Sequence, residues 1–298
     1  MQSIAKLVVV GVGLIGGSLA LALRRRRLVG TIVGVGRTRH NLEAALRANV
    51  VDRAFTLDER WTDELVDADV VVFATPVAQY PKLFASIAGA LGAKTLVTDA
   101  GSTKQDVVAA AREHLRDSIA RVVPAHPIAG AERSGAVAAF ESLFDDRSVI
   151  VTPLPETDAQ ALRIVEELWA ACGARVSRLD PAAHDRIFAA VSHLPHLLSA
   201  VYVAELAARE DASLLFGHAG TGFRDFTRIA AASPEMWRDI TLANRDALLA
   251  DVAAMREALA QLEGAMRARD GQAVEAMLRK AADARRAWSG ARDDASTE

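Results

Sequence analysis

The chain has 298 residues, of which 51% are hydrophobic, and a formal net charge of −3 at pH 7. This length favours two domains, each with enough apolar residues for a core. A slightly acidic charge balance argues against nucleic acid or an anionic membrane as the partner and favours a small molecule. Cys172 is the only cysteine. An intramolecular disulfide is therefore excluded and a reducing cytoplasm is expected, and we interpret Cys172 as a small buried hydrophobe.

The stretch from residue 7 to residue 18 predicts a strand, a tight turn and a helix. An apolar run enters a turn that contains Gly11, Gly13 and Gly16. This is the G-x-G-x-x-G spacing of a dinucleotide-binding βαβ unit, in which the pyrophosphate lies at the helix N-terminus. Residues 7 to 23 carry no charge, so an alternative interpretation of this stretch is a membrane-spanning segment. That alternative is disfavoured because the stretch is rich in glycine, is shorter than the roughly 20 residues of a spanning helix, and precedes its positive cluster.

Short apolar runs alternate with helical patterns as far as about residue 180. Such alternation predicts an α/β fold with a Rossmann-type, doubly wound, mostly parallel sheet, whose ligands bind beyond the carboxyl ends of the strands. Two loops there carry polar side chains: residues 98 to 104, where Ser102 or Thr103 is the expected helix cap, and residues 124 to 130, where His126 lies between two prolines. The residues expected to contact a cofactor are Gly11, Gly13, Leu14, Ile15, Gly16, Gly36, Arg37, Thr38, Thr75 and Pro76.

After residue 180 the pattern is helical. We therefore divide the chain into a dinucleotide-binding domain, residues 1 to 180, and a helical domain, residues 181 to 298. Asp180-Pro181 and Ser233-Pro234 predict helix starts. Pro195 predicts a kink in a helix that places His193 and His196 on one face, and two histidines without a third ligand do not predict a metal site.

The helix that begins at Ser233 is expected to continue through an apolar seam with alternating spacings of four and three residues. The seam consists of Leu248, Val252, Met255, Leu259, Leu262 and Met266. This pattern suits either a bundle core or a dimer interface. One further helix is expected from Gly271 to Trp288, followed by a frayed polar tail.

Five stretches occur in a family-specific order: Gly-Val-Gly-Leu-Ile-Gly-Gly-Ser (11 to 18), Asp-Ala-Gly-Ser-Thr-Lys (99 to 104), His-Pro-Ile-Ala-Gly (126 to 130), Ser-His-Leu-Pro-His (192 to 196) and Asp-Phe-Thr-Arg-Ile-Ala (225 to 230). In these stretches the sequence resembles the prephenate and arogenate dehydrogenases of tyrosine biosynthesis. The resemblance implies a Rossmann domain, a helical dimerisation domain and a homodimer. We expect neither the ACT domain nor the chorismate mutase domain that some relatives carry.

The resemblance also implies the chemistry, an oxidative decarboxylation in which hydride leaves C4 of a cyclohexadienyl ring for nicotinamide and carbon dioxide leaves C1. It implies that His126 accepts the C4 hydroxyl proton, that Ser102 orients His126 and touches the nicotinamide, and that Arg228 holds the side-chain carboxylate. The other implied pocket residues are Ser192, His193, His196, Glu132, Asp225 and Trp237. The choice between prephenate and arogenate stays open, as does direct inhibition by tyrosine.

The cofactor expected from the sequence is NADP, with NAD as the alternative or as a second cofactor. Where NAD-binding proteins place an acidic residue at the end of the second strand, this chain has Gly36 followed by Arg37, Thr38 and Arg39. Glycine does not repel a 2′-phosphate, and a guanidinium binds a phosphate well. The alternative interpretation is that Arg37 and Arg39 are solvated surface charges. Two other functions stay open: a dehydrogenase of the β-hydroxyacid or imine-reducing type, and a non-catalytic dinucleotide-binding regulator.

Overall fold

The computed structural model describes residues 3–131 and 135–294. Its main sheet contains β1 (Ile4–Val10), β2 (Val29–Gly36), β3 (Arg53–Thr56), β4 (Val70–Phe73), β5 (Leu96–Asp99) and β6 (Val122–Val123). The strands pair in the order β3-β2-β1-β4-β5-β6, and every pairing is parallel. The predicted Rossmann-type sheet is confirmed.

Helices cover both faces of this sheet, so its central strands are buried on both sides. The helices are α1 (Leu14–Arg25), α2 (Arg39–Arg47), α3 (Tyr80–Ile87), α4 (Gln105–His114) and α5 (Ala159–Ala171). Along β1, Leu7 and Val9 belong to one core cluster while Val8 and Val10 belong to the other. The uncharged stretch from residue 7 to residue 23 is thus a central strand with its packed helix, and the membrane alternative is wrong.

A second, smaller sheet was not foreseen. It contains β7 (Ala125–Pro127), β8 (Ser148–Val151) and β9 (Arg175–Arg178), and β7 runs antiparallel to β8. The strands expected as far as about residue 180 therefore form two sheets rather than one. Pro124 separates β6 from β7, and because proline has no N–H it cannot extend the ladder of β6.

The rest of the chain is helical. It contains α6 (Pro181–Phe188), α7 (Leu194–Ala207), α8 (Ala212–Gly217), α9 (Thr221–Thr227), α10 (Pro234–Ala243), α11 (Arg245–Arg267) and α12 (Gly271–Asp294). A π turn, Ala189–His193, joins α6 to α7 directly before Pro195, which is the form that the predicted kink takes. The segment Pro181–Ala207 is long and apolar enough to cross a membrane, but it carries the buried polar residues His184, Asp185 and His193, as a core helix of a folded unit does.

The two predicted helix starts are confirmed by capping hydrogen bonds. Asp180 Oδ1 accepts from the amide of Ala183, and Ser233 Oγ accepts from the amide of Met236. The predicted continuation of the second helix through the seam is wrong, because α10 ends at Ala243 and the seam lies on α11. The buried Asn244 separates the two helices.

The C-terminal helix also differs from the expectation. α12 continues to Asp294 instead of ending at Trp288, so the expected frayed tail is helical as far as that residue, and residues 295 to 298 lie outside the described part of the chain. By contact density the chain divides after residue 247 into two compact units. Within the second unit Leu259 and Met266 are exposed.

Candidate active site

Each of the three glycines of the first turn is suited to its position for a different structural reason. Gly11 has φ +103°, and a Cβ there would lie 2.5 Å from the carbonyl oxygen of Ala74. A Cβ on Gly16 would lie 2.3 Å from the carbonyl oxygen of Gly11, so this glycine allows α1 to approach the turn. Around Gly13 no atom lies within 4 Å of such a Cβ. The turn therefore has the tight bend, the close helix packing and the open approach that a dinucleotide pyrophosphate requires.

The other predicted cofactor residues lie at the same edge of the sheet. Leu14 and Ile15 begin α1, Gly36 ends β2, and Thr75 and Pro76 follow β4. β1 is paired with both β2 and β4, so these three strand ends are neighbours. The structure thus brings the predicted cofactor residues together.

The two residues after Gly36 are exposed. Arg37 Nη1 lies 3.2 Å from Glu235 Oε1 on α10, and Thr38 is the N-cap position of α2. Exposed ion pairs of this kind contribute little free energy, about 0–1 kcal/mol. Arg37 is therefore available to an incoming anion.

The loop after β5 is held by a buried ion pair. Lys104 Nζ donates to Asp99 Oδ2 and to the carbonyl oxygen of Ala125, while Asp99 Oδ1 accepts from the amide of Ala125. Both charged side chains are almost wholly inaccessible. This pair ties the loop that carries the half-buried Ser102 to the strand that carries His126.

The expected cap of α4 is wrong. Neither Ser102 nor Thr103 caps this helix. Instead, the carboxylate of Asp185 on α6 accepts from the amides of Lys104 and Gln105 at 2.8 and 2.9 Å. The orphan amides of a helix N-terminus need an acceptor, and here a distant element supplies it.

His126 lies on β7 rather than in a loop, and 8% of it is exposed. Its Nδ1 lies 2.9 Å from His184 Nε2, and its ring packs against Phe188. Burial lowers the pKa of His126 well below the ordinary 6.5, and the neighbouring His184, Lys104 and His193 lower this pKa further. The imidazole is therefore neutral near pH 7 and able to accept a proton.

A second group of rings lies at the start of α7. His196 stacks on Trp237 with ring centroids 3.5 Å apart, and His193 contacts the same indole edge to face. Burial lowers the pKa of His193 to about 4, and Nδ2 of Asn244 donates to its Nδ1 at 3.1 Å. His193 therefore carries its proton on Nε2. Neither this nitrogen nor Trp237 Nε1 has a hydrogen-bond partner of normal geometry within the described residues.

The remaining predicted substrate residues differ in burial. Ser192 is half-buried on the π turn, whereas Arg228 and Asp225 are exposed, Arg228 at the start of the turn Arg228–Ala231 that packs on α7. Glu132 lies outside the described residues. The structure thus buries the histidines against the half-buried Trp237 and leaves Arg228 and Asp225 at the surface of the single chain.

Three polar side chains at this site were not expected from the sequence. His184 and Asp185 are adjacent, are 0% and 1% exposed, and contact each other through His184 Nδ1 and Asp185 Oδ1 at 2.8 Å. A His-Asp pair beside the apolar residues of this helix was the available signal. Asn244, whose amide also donates to the carbonyl oxygen of Asp185, carried no signal of its own.

Comparisons with known proteins agree with the resemblance. The family model of the prephenate dehydrogenase nucleotide-binding domain matches residues 19–178, and that of the prephenate dehydrogenase dimerization domain matches residues 180–280. The prephenate dehydrogenase of Bacillus subtilis is 38% identical over 242 residues, which are 80% of this chain but 64% of the relative, slightly under two thirds of its length. The cyclohexadienyl dehydrogenase of Zymomonas mobilis is 33% identical over 86% of this chain and 89% of the relative.

Solved structures lead to the same family. The crystal structure of prephenate dehydrogenase from Aquifex aeolicus, in complex with hydroxyphenyl propionate and NAD+, superimposes with a TM-score of 0.88 at 30% identity, and the match covers 95% of this chain and 98% of that one. The two other functions left open by the sequence are not favoured by these matches. The chain carries the nucleotide-binding domain and the dimerization domain of this family, and it belongs to the prephenate/arogenate dehydrogenase family.

Proposed function

We propose that this chain catalyses the oxidative decarboxylation of prephenate, arogenate or both, with NADP as the preferred hydride acceptor. The observation that supports the proposal is His126, a buried neutral imidazole held by β7 against the loop of Ser102. A proton acceptor in such a place suits a reaction in which a ring hydroxyl becomes a carbonyl.

The proposed roles follow from the chemistry of the substrate. Bound nicotinamide supplies the hydride acceptor. His126 Nε2 accepts the C4 hydroxyl proton while hydride leaves C4 and carbon dioxide leaves C1, and Ser102 orients His126. Formation of the aromatic ring makes the reaction strongly downhill, so the protein's main contribution is placement.

Two substrate carboxylates need partners when they leave water. We assign the side-chain carboxylate to Arg228. The ring carboxylate is assigned to the group of His193 and His196, where the Nε2–H of His193 and the Nε1–H of Trp237 offer donors. Pocket roles for Ser192, Asp225 and Glu132 stay predictions.

The proposal includes a homodimer and a cytoplasmic location. A homodimer is supported by the dimerization-domain match over residues 180–280 and by the exposed seam residues of α11. The functional boundary near residue 180, directly after β9, and a cytoplasmic location are proposed with it.

The function is tested with purified protein, prephenate and arogenate, each with NAD and with NADP, by following the absorbance of the reduced nicotinamide. We expect reduction with at least one of the four combinations and carbon dioxide release in equal amount. The matched control is His126→Asn with the same cofactor and substrate. Wild-type protein that reduces neither cofactor with either substrate would refute the proposal.

Cofactor preference is tested with the double variant Gly36→Asp/Arg37→Ile. A carboxylate at position 36 repels a 2′-phosphate and binds ribose hydroxyls, so kcat/KM should move toward NAD by about 10- to 100-fold. A Cβ at position 36 would lie 3.2 Å from Cδ2 of the buried Leu42, so this side chain must shift by a few tenths of an ångström to accept the change. Arg39→Ile is the control for general loss of surface charge. Wild-type protein that prefers NAD would show the assignment to be wrong.

A further inference from the structure

Behind His126 lie two further buried polar side chains in one hydrogen-bonded row. His126 Nδ1 lies 2.9 Å from His184 Nε2, and His184 Nδ1 lies 2.8 Å from Asp185 Oδ1. His184 and Asp185 are 0% and 1% exposed. We call these three residues the buried triad.

We propose that His184, oriented by Asp185, is a positioning residue that holds His126 as the Nδ1–H tautomer and so keeps its Nε2 free as the proton acceptor. The proposal rests on the proposed function only in that the reaction needs a base at His126.

The position of each proton follows from Asp185. Its oxygens already accept the backbone amides of Lys104 and Gln105, so this group is an ionised acceptor without a proton to give. His184 must then donate from Nδ1. Because a neutral imidazole carries one proton, His184 Nε2 is an acceptor, and the proton between the two histidines belongs to His126 Nδ1.

The opposite arrangement would remove the base. If His184 were protonated, its Nε2–H would donate to His126 Nδ1, and the single proton of a neutral His126 would then lie on Nε2. The titratable groups that face His184 are Asp185 from its own helix, Asp99 at the end of β5, Lys104 from the loop after β5, and His126 from β7. Burial outweighs the carboxylates and lowers the pKa of His184. His184 therefore stays neutral near pH 7.

During turnover the buried triad also gains a positive charge at His126. The C4 hydroxyl proton moves to His126 Nε2, and the resulting imidazolium donates from Nδ1 to His184. Asp185, two hydrogen bonds away, is the negative group that stabilises this cation. The proton later leaves His126 for solvent from the same nitrogen, so no net transfer to His184 is needed.

The test uses full-length wild-type protein, His184→Phe, His184→Gln and the control His114→Gln. With ¹⁵N-labelled histidine, the imidazole nitrogen shifts report the tautomer, and the His126 signals are assigned by their loss in His126→Asn. We expect Nδ1–H and a bare Nε2 on His126 in wild type and in the control, and a mixture of tautomers in His184→Phe.

Activity gives the second readout. His184→Phe should lower kcat about 10- to 10³-fold with little change in substrate KM. Part of the population loses the base, and the imidazolium formed in turnover loses its link through His184 to Asp185, while the binding residues stay. His184→Gln supplies a side-chain carbonyl that accepts from His126 Nδ1–H. Its kcat should be at least tenfold higher than that of His184→Phe. Recovery by glutamine distinguishes positioning from a purely structural role.

Two results would overturn the proposal: an Nε2–H tautomer on His126 in wild type, or an unchanged tautomer and kcat in His184→Phe. If His184→Phe does not fold, the wild-type ¹⁵N spectrum and the kcat of His184→Gln test the proposal instead. The spectrum needs no substrate, so a wild-type protein inactive on prephenate and arogenate would refute the proposed function while leaving this inference testable.

Discussion

At the scale of single residues, His126 is the group on which the proposed chemistry depends. His126→Asn keeps similar size and a hydrogen bond but cannot accept the proton. We expect kcat to fall by about 10²–10⁴-fold with nearly unchanged KM values. Because the pKa of His126 lies well below 6.5, the acid limb of the wild-type kcat/KM profile should also lie below that pH. Stopped-flow and steady-state kinetics measure both, and near-normal turnover in the variant would contradict the assignment.

Arg228 is expected to act differently, through binding. A guanidinium that holds a carboxylate stabilises ground and transition states alike, so Arg228→Ala should raise substrate KM far more than it lowers kcat. Cofactor KM should not change. The control is Arg224→Ala, another exposed arginine close by on α9. A variant that lost cofactor affinity and kept substrate KM would place Arg228 in the other part of the cleft.

At the scale of elements, the buried pair of Asp99 and Lys104 joins the loop after β5 to β7. Removal of one partner leaves a buried charge without compensation, which commonly costs about 3–5 kcal/mol. Lys104→Met should lower the free energy of unfolding by that amount in urea denaturation, whereas Lys82→Met, on the exposed face of α3, should leave it nearly unchanged. Equal stability of the two variants would show that the pair does not hold these elements together.

At the scale of the whole molecule, the prediction concerns assembly. Met255 is half-buried and Leu259 is 56% exposed on α11, and a row of such side chains is more apolar surface than soluble proteins leave in water. Met255→Glu/Leu259→Glu should give monomer or insoluble protein. Ala253→Glu/Gln261→Glu adds the same charge beside the seam and should keep the dimer. Sedimentation at micromolar concentration distinguishes them, and a monomeric wild type would refute the interface.

What the sequence by itself determined is local. The glycine turn, the caps at Asp180 and Ser233 and the interruption at Pro195 were predictable because each depends on backbone preferences of neighbouring residues. The break between α10 and α11 was not, because helical periodicity continues through Asn244. Asn244 follows the last residue of α10, and its side-chain amide donates to the carbonyl oxygen of Asp185 and to Nδ1 of His193, which are 59 and 51 residues away.

Only the tertiary structure decided how the site is built. The bond from His126 to His184 joins residues 58 positions apart, and Asp185 caps α4 from 81 positions away. The Asp99 and Lys104 pair was visible in the sequence only as one motif, without its bonds to Ala125. Contacts of this kind depend on how β7, α4 and α6 meet, and that geometry is set by packing of the whole core rather than by any one segment.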